Sequence, residues 1–131
     1  MLLVEDDAIV AAVLRGLLDA QGHRATYVAH GLGALAELSN AHFDVMLLDL
    51  DLPGVDGFQV ARMIRQREGA GERLPIVAIT ARSGGDEEAQ ARAAGMDGFV
   101  RKPISGAQLA DAIEEVLVQA PREEDTADEA G

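Results

Sequence analysis

The sequence predicts an α/β fold, a doubly wound sheet of five parallel strands covered by five helices. Short apolar runs alternate with longer amphipathic segments along the chain, which is the pattern of repeated βαβ units. The 131 residues suffice for one domain with a real core. About half of them are apolar, so disorder throughout is excluded. The strand order 2-1-3-4-5 of the flavodoxin-like fold is common at this size.

The strand candidates are short and rich in branched apolar residues, as strands buried on both faces should be. Each is followed by polar residues or a turn, so five separate strands are predicted. They are "LLV" (2–4), "ATYVA" (25–29), "VMLL" (45–48), "IVAI" (76–79) and "GFVR" (98–101).

The helix candidates carry apolar residues at helical spacing between the strands. Residues 8–20 should bury one broad face and stop at Gly22. Residues 33–39, 57–67 and 86–94 follow. The expected buried residues are Ile9, Val10, Val13, Leu14, Leu17 and Leu18 in the first helix, Leu35 and Leu38 in the second, and Phe58, Ala61, Met63 and Ile64 in the third.

The start of the last helix is predicted from Ser105 and Gln108, whose spacing is that of a capping box. It should bury one apolar face against the sheet and end before Pro121. The residues of this face are Leu109, Ile113, Val116 and Leu117.

Reactive side chains follow four of the five strands. Glu5 and Asp6 come after strand 1, Asp49 after strand 3, Thr80 after strand 4 and Lys102 after strand 5. Because ligands of doubly wound sheets bind at the carboxyl ends of the strands, these residues should share one edge.

Three carboxylates at one edge repel each other unless a cation lies between them. Mg²⁺ suits an oxygen shell that water and phosphate complete, so we expect Glu5, Asp6 and Asp49 to hold Mg²⁺. The alternative for "EDD" is a solvated helix start, with Asp6 or Asp7 as the N-cap. The presence of Asp49 on the neighbouring strand favours the metal.

Lys102 is the only lysine in a chain with ten arginines, and it stands directly before Pro103. A compact ammonium can approach a carboxylate and a phosphoryl oxygen as a point charge. A cis Lys-Pro bond would direct the side chain back to the crevice. The Thr80 hydroxyl could donate to a phosphoryl oxygen above Asp49. The alternatives are a surface lysine kept by chance and an ordinary strand threonine.

Composition excludes several function classes. Cysteine is absent, which removes disulfides and thiol chemistry and fits a reducing, cytoplasmic location. The net charge of −12 argues against direct nucleic-acid binding. The longest apolar run, "AIVAAVL", is too short for a membrane helix, so we expect no membrane contact by this domain.

The motifs "LLVEDD", "LLDLDLPGVDG", "IVAITA" and "GFVRKPI" resemble the receiver domain of bacterial two-component response regulators. The resemblance covers residues 1–120, and 121–131 read as an acidic disordered tail or linker. It implies that Asp49 accepts a phosphoryl group from a phosphohistidine on a histidine kinase or phosphotransfer protein. Glu5, Asp6 and the backbone carbonyl of Asp51 would complete the Mg²⁺ site with Asp49. Such a domain catalyses its own phosphorylation and dephosphorylation and is not a conventional enzyme.

The same resemblance assigns a switch. Thr80 and Lys102 would contact the phosphoryl group, and Phe99 would change rotamer when Thr80 moves. Many receivers have tyrosine at that position, so Phe99 should keep the packing switch without its hydroxyl. Asp51 and Arg82 are also unusual. We hypothesise that they pair and slow hydrolysis of the acyl phosphate, the alternative being two solvated side chains.

The sequence also allows other interpretations. The stretch "DLDLP" imitates the Asp49/Asp51 motif of haloacid-dehalogenase-like phosphatases but has Pro53 where threonine or valine belongs. A receiver acting only by protein docking is a further alternative.

Receivers of hybrid sensor kinases are similar to two stretches of this sequence, "GMDGFVRKPIS" and "PIVAITA". Strand 1 begins so early that we expect a longer parent chain. A stand-alone receiver would signal, or form a homodimer, through helix 4, strand 5 and helix 5.

Overall fold

The computed structural model describes residues 1–52, 54, 56–69, 73–81 and 85–119. Its five strands form one parallel sheet in the order β2-β1-β3-β4-β5, which confirms the predicted fold. The strands are β1 Leu2–Val4, β2 Thr26–Val28, β3 Met46–Asp49, β4 Ile76–Thr80 and β5 Gly98–Arg101.

In the described part of the chain, five helices connect and cover these strands. The first and third have the predicted bounds, while the second starts earlier than residue 33 because His30 caps it, accepting a hydrogen bond from the Gly33 N–H. Ser105 and Gln108 exchange the two hydrogen bonds of the predicted capping box. The helices are α1 Ala8–Ala20, α2 Gly31–Asn40, α3 Gly57–Arg67, α4 Glu87–Ala93 and α5 Gly106–Gln119.

The sheet separates two apolar layers. The helices α2, α3 and α4 pack on one face, and α1 and α5 pack on the other. The central strands β1, β3 and β4 are buried along their whole length, which explains their uninterrupted apolar sequences. Burial of both faces leaves the carboxyl edge as the place where polar side chains of these strands can be reached.

The predicted apolar face of α1 is too broad. Ile9 is 77% exposed and Val13 is 55% exposed, because both lie on the side of the helix opposite to Leu14 and Leu18, which are buried. In α3, Met63 is also exposed, against the prediction. A helix that covers one face of a sheet needs only a limited apolar stripe. The number of apolar residues in these helices therefore predicted more buried positions than the structure has.

The ends of α1 are fixed by local hydrogen bonds. Asp7 is the N-cap, and its carboxylate accepts from the N–H groups of Ile9 and Val10 at 2.9 and 3.2 Å. The predicted stop at Gly22 agrees with its φ of 84°, a left-handed conformation that glycine adopts without strain. The helices of the described residues are too short or too polar to cross a bilayer.

An ion-pair cluster closes the amino edge of the sheet. The Arg65 guanidinium lies 2.9 Å from Asp97 and donates to the Gly95 carbonyl at 2.8 Å. Asp97 also pairs with Arg73 at 2.6 Å and accepts from the Ile76 N–H at 3.0 Å. The cluster therefore joins α3, the turn before β5 and the start of β4.

Candidate functional site

The acidic residues meet at the carboxyl edge of the sheet. β1 and β3 are paired with Val4 opposite Leu48, so Glu5 and Asp49 leave the two strands at the same level. One carboxylate oxygen from each of Glu5, Asp6 and Asp49 lies within 4.8 Å of the others.

Two of these carboxylates are buried. Glu5 is inaccessible and Asp49 is 1% exposed, whereas Asp6 is exposed. Backbone groups satisfy part of their hydrogen-bonding capacity. The Asp51 N–H donates to Oδ1 of Asp49 at 3.0 Å, and the Asp7 N–H donates to Oε2 of Glu5 at 3.2 Å. The backbone N–H groups that follow β1 and β3 thus hold the two buried carboxylates in place.

Lys102, the single lysine of the sequence, brings its ammonium group to this edge. Its Nζ lies 2.7 Å from Oε1 of Glu5 and 3.6 Å from Oδ2 of Asp49. The Lys102-Pro103 peptide bond is cis. At 2.7 Å the Lys102 ammonium is the ion-pair partner of Oε1 of Glu5, and this buried oxygen has no other donor among the described residues.

Burial and the closeness of the charged groups shift the pKa values of Asp49 and Lys102. Burial, the largest cause, and the adjacent Glu5 carboxylate together raise the pKa of Asp49 to about 6, against the smaller lowering effects of the Asp51 N–H and of Lys102. Burial lowers the pKa of Lys102, but the carboxylates of Glu5 and Asp49 outweigh it, so that pKa is raised above its usual value. Lys102 is therefore charged at neutral pH.

The donor set fits a hard divalent cation. Three carboxylates face one ammonium, and apart from this ammonium the buried Oε1 of Glu5 has no donor among the described residues. All the donors are oxygens, which is the set that Mg²⁺ prefers. The acidic cluster could therefore hold a metal ion such as Mg²⁺.

Thr80 is fully buried at the end of β4, and its hydroxyl donates to Oδ2 of Asp51 at 3.1 Å. The sequence indicated a metal contact through the backbone carbonyl of Asp51 and a pairing of its side chain with Arg82, but it did not indicate the hydrogen bond between this side chain and Thr80. The register pairs Asp49 with Ile79, so Thr80 ends β4 beside the chain that follows Asp49, and this neighbourhood is the signal that could have indicated the contact.

Phe99 is partly buried on β5 and packs against the core layer under α2, α3 and α4. The Arg101 guanidinium carbon lies 5.0 Å from the centre of its ring. Strand alternation explains this contact, because residues two apart project from the same face. No pattern in the sequence indicated this contact.

Comparison with known proteins identifies the family. The family model described as the response regulator receiver domain matches residues 1–114. The chain belongs to this family. It thus contains a receiver domain of two-component signalling, and receivers of this kind interact with histidine kinases or histidine phosphotransfer proteins. The match leaves the phosphatase alternative without support.

Relatives of this receiver include both regulators and kinases. The transcriptional regulatory protein AfsQ1 of Streptomyces coelicolor is 37% identical over 123 residues, which are 94% of this chain and 53% of that protein. The sensor histidine kinase GacS of Pseudomonas protegens is 36% identical over 115 residues, 86% of this chain and 12% of the kinase. The chain thus spans about half the length of the regulator and a small part of the kinase.

A solved receiver structure carries a metal. The receiver domain of the sensor histidine kinase PA1611 from Pseudomonas aeruginosa PAO1 has a TM-score of 0.80 and 33% identity, covering 89% of this chain and 95% of that one. Its active-site cleft contains a coordinated magnesium ion.

Two predicted features of this receiver lie outside the described residues. They are Arg82, with its pairing to Asp51, and the tail 121–131. Pro53 is also outside, while the neighbouring Gly54 has a φ of 77°, a left-handed conformation that glycine adopts without strain.

Proposed function

We propose that Asp49 is the phosphoacceptor of this receiver and takes a phosphoryl group from a phosphohistidine of a histidine kinase or phosphotransfer protein. The observation that carries the proposal is the position of Asp49. Like Glu5, it lies in the three-carboxylate cluster and near the Lys102 ammonium, at 3.6 Å. Unlike Glu5, it lies at the end of β3, the strand that pairs with β4 and so with the strand of Thr80. Glu5, Asp6 and Asp49 would hold Mg²⁺ together with the backbone carbonyl of Asp51.

In the proposed transfer, a carboxylate oxygen of Asp49 attacks phosphorus. The new O–P bond forms while the N–P bond of the phosphohistidine breaks, and the histidine leaves with the bonding electron pair. Bound Mg²⁺ would supply positive charge for the phosphoryl oxygens. Lys102 neutralises further charge from the side of β5, and the Asp51 N–H orients the Asp49 carboxylate through Oδ1.

The switch proposal concerns Thr80 and Phe99. Thr80 and Lys102 would contact the phosphoryl group, and Phe99 would change rotamer when Thr80 moves. The partly buried position of Phe99 on β5, next to β4, supports this coupling, since movement at the end of β4 alters the space beside the ring.

We further propose that residues 1–120 form the receiver and that 121–131 are an acidic linker. The domain acts in the cytoplasm, where its phosphodonor is found. Similarity to both a transcriptional regulator and a sensor kinase is compatible with either parent protein. In a stand-alone receiver, α4, β5 and α5 would form the signalling or homodimer surface.

The proposal is tested by incubating the protein with acetyl phosphate and recording its intact mass. We expect a gain of one phosphoryl group that requires Mg²⁺ and disappears in Asp49→Asn. Asp44→Asn is the matched control, because Asp44 is an exposed aspartate at the opposite end of β3. Equal phosphorylation of Asp49→Asn and the wild type would contradict the proposal.

A further inference from the structure

Asp51 contacts two residues of the site with different groups. Its backbone N–H donates to Oδ1 of Asp49 at 3.0 Å, and its carboxylate accepts from the Thr80 hydroxyl at 3.1 Å. The carboxylate is exposed, whereas Thr80 is fully buried. One residue therefore connects the phosphoacceptor with the threonine of the neighbouring strand.

We propose that the Asp51 carboxylate is a positioning residue that holds the Thr80 hydroxyl in the resting receiver, so that a phosphoryl group on Asp49 has to compete with it for that hydroxyl. This inference rests on the proposed function of Asp49. It adds that the side chain of Asp51, and not only its backbone, sets how readily the receiver switches.

The competition follows from the chemistry of the hydroxyl. Threonine has a single O–H hydrogen, so it donates fully to one acceptor at a time. In the resting state this acceptor is a carboxylate, and hydrogen bonds to charged groups are stronger than those between neutral groups. Turning the hydroxyl toward Asp49 therefore requires loss of the contact with Asp51. Removing the carboxylate should favour the switched state.

The negative charge of Asp51 offers a rival explanation, since it would also repel an anionic phosphoryl group. Two substitutions separate the effects. Asp51→Ala and Asp51→Asn both remove the charge, but only asparagine keeps a side-chain oxygen that can accept from Thr80. Both keep the backbone N–H that holds Asp49. Thr80→Val removes the hydroxyl and preserves the branched shape.

The experiment measures the affinity for beryllofluoride, a phosphoryl analogue, in the presence of Mg²⁺ by calorimetry. We expect Asp51→Ala to bind about three- to tenfold more tightly than the wild type, and Asp51→Asn to show a smaller gain. In the Thr80→Val background, Asp51→Ala should change the affinity little. Without Mg²⁺ and beryllofluoride, the NMR signal of the Thr80 methyl group should move in Asp51→Ala toward its position in the loaded wild type.

Equal gains for Asp51→Ala and Asp51→Asn that persist in the Thr80→Val background would overturn the proposal in favour of charge repulsion. An unmoved Thr80 methyl signal would also overturn it. A wild type that neither binds beryllofluoride nor is phosphorylated would contradict the proposed function of Asp49, which is a distinct result.

Discussion

The ammonium nitrogen of Lys102 lies 2.7 Å from Oε1 of the fully buried Glu5. This contact joins the end of β5 to the end of β1 across the site. Since Glu5, Asp6 and Asp49 carry more negative charge than one ammonium can balance, stability and metal binding should depend on each other here.

Replacing Lys102 should expose this dependence. Lys102→Met leaves the buried Glu5 carboxylate without its cation, and we expect the free energy of unfolding in EDTA to fall by about 2–4 kcal/mol. Mg²⁺ should restore part of the loss. Arg92→Met, which removes an exposed pair with Glu88, should cost about 0–1 kcal/mol. Urea unfolding measures both, and a Lys102→Met protein as stable as wild type would refute the prediction.

The free energy of unfolding should depend on pH through the protonation of Asp49. Burial and Glu5 raise its pKa from 3.8 to about 6, so in this window the folded state binds more protons than the unfolded state. The free energy of unfolding should therefore fall as pH rises from about 4 to 6, by about 1–3 kcal/mol from this group. Unfolding in EDTA across that range should show a flatter profile for Asp49→Asn. An identical slope in both proteins would disprove the assignment.

The close packing of α3 against β3 gives a third prediction. A methyl group on Gly57 would lie 2.6 Å from the Asp49 carbonyl oxygen and 2.8 Å from Cα of Leu50. Both are backbone atoms and cannot yield easily, so Gly57→Ala should lose about 3 kcal/mol of stability and weaken Mg²⁺ binding. Gly16→Ala, in open space on α1, should instead gain about 0.5–1 kcal/mol. Thermal unfolding of the two variants should move in opposite directions.

The cluster around Asp97 should act on stability alone. Asp97→Asn weakens its ion pairs with Arg65 and Arg73, and we expect a loss of about 1–3 kcal/mol. Because the cluster lies at the amino edge of the sheet, the Mg²⁺ affinity of the folded protein should change less than twofold, roughly the scatter between distant sites. A large loss of Mg²⁺ affinity would mean that the two edges are coupled.

The fold was predictable because alternation and burial are local properties of the sequence. The apolar runs of β1, β3 and β4 carry the signal directly, as does the capping box at Ser105 and Gln108. The exposure of Ile9 and Val13 was not predictable from apolar content, since it depends on how much of α1 the sheet covers. That quantity is a property of tertiary packing.

The side-chain contacts of the site were harder to predict than its location. Strand order and the carboxyl-edge rule bring Glu5, Asp6 and Asp49 together without knowledge of any rotamer. The hydrogen bond from Thr80 to Asp51 and the stacking of Arg101 on Phe99 depend on the register between neighbouring chains and on side-chain torsions. Neither contact can be predicted from the spacing of residues along the sequence.

The most direct test of the central claim is to locate the phosphoryl group after reaction with acetyl phosphate and Mg²⁺. Borohydride reduction of an aspartyl phosphate yields homoserine, which peptide mass spectrometry can assign to one position. The account predicts homoserine at position 49 and unmodified aspartate at position 51. Homoserine at another position, or continuous hydrolysis of an aryl phosphate without a modified aspartate, would contradict it.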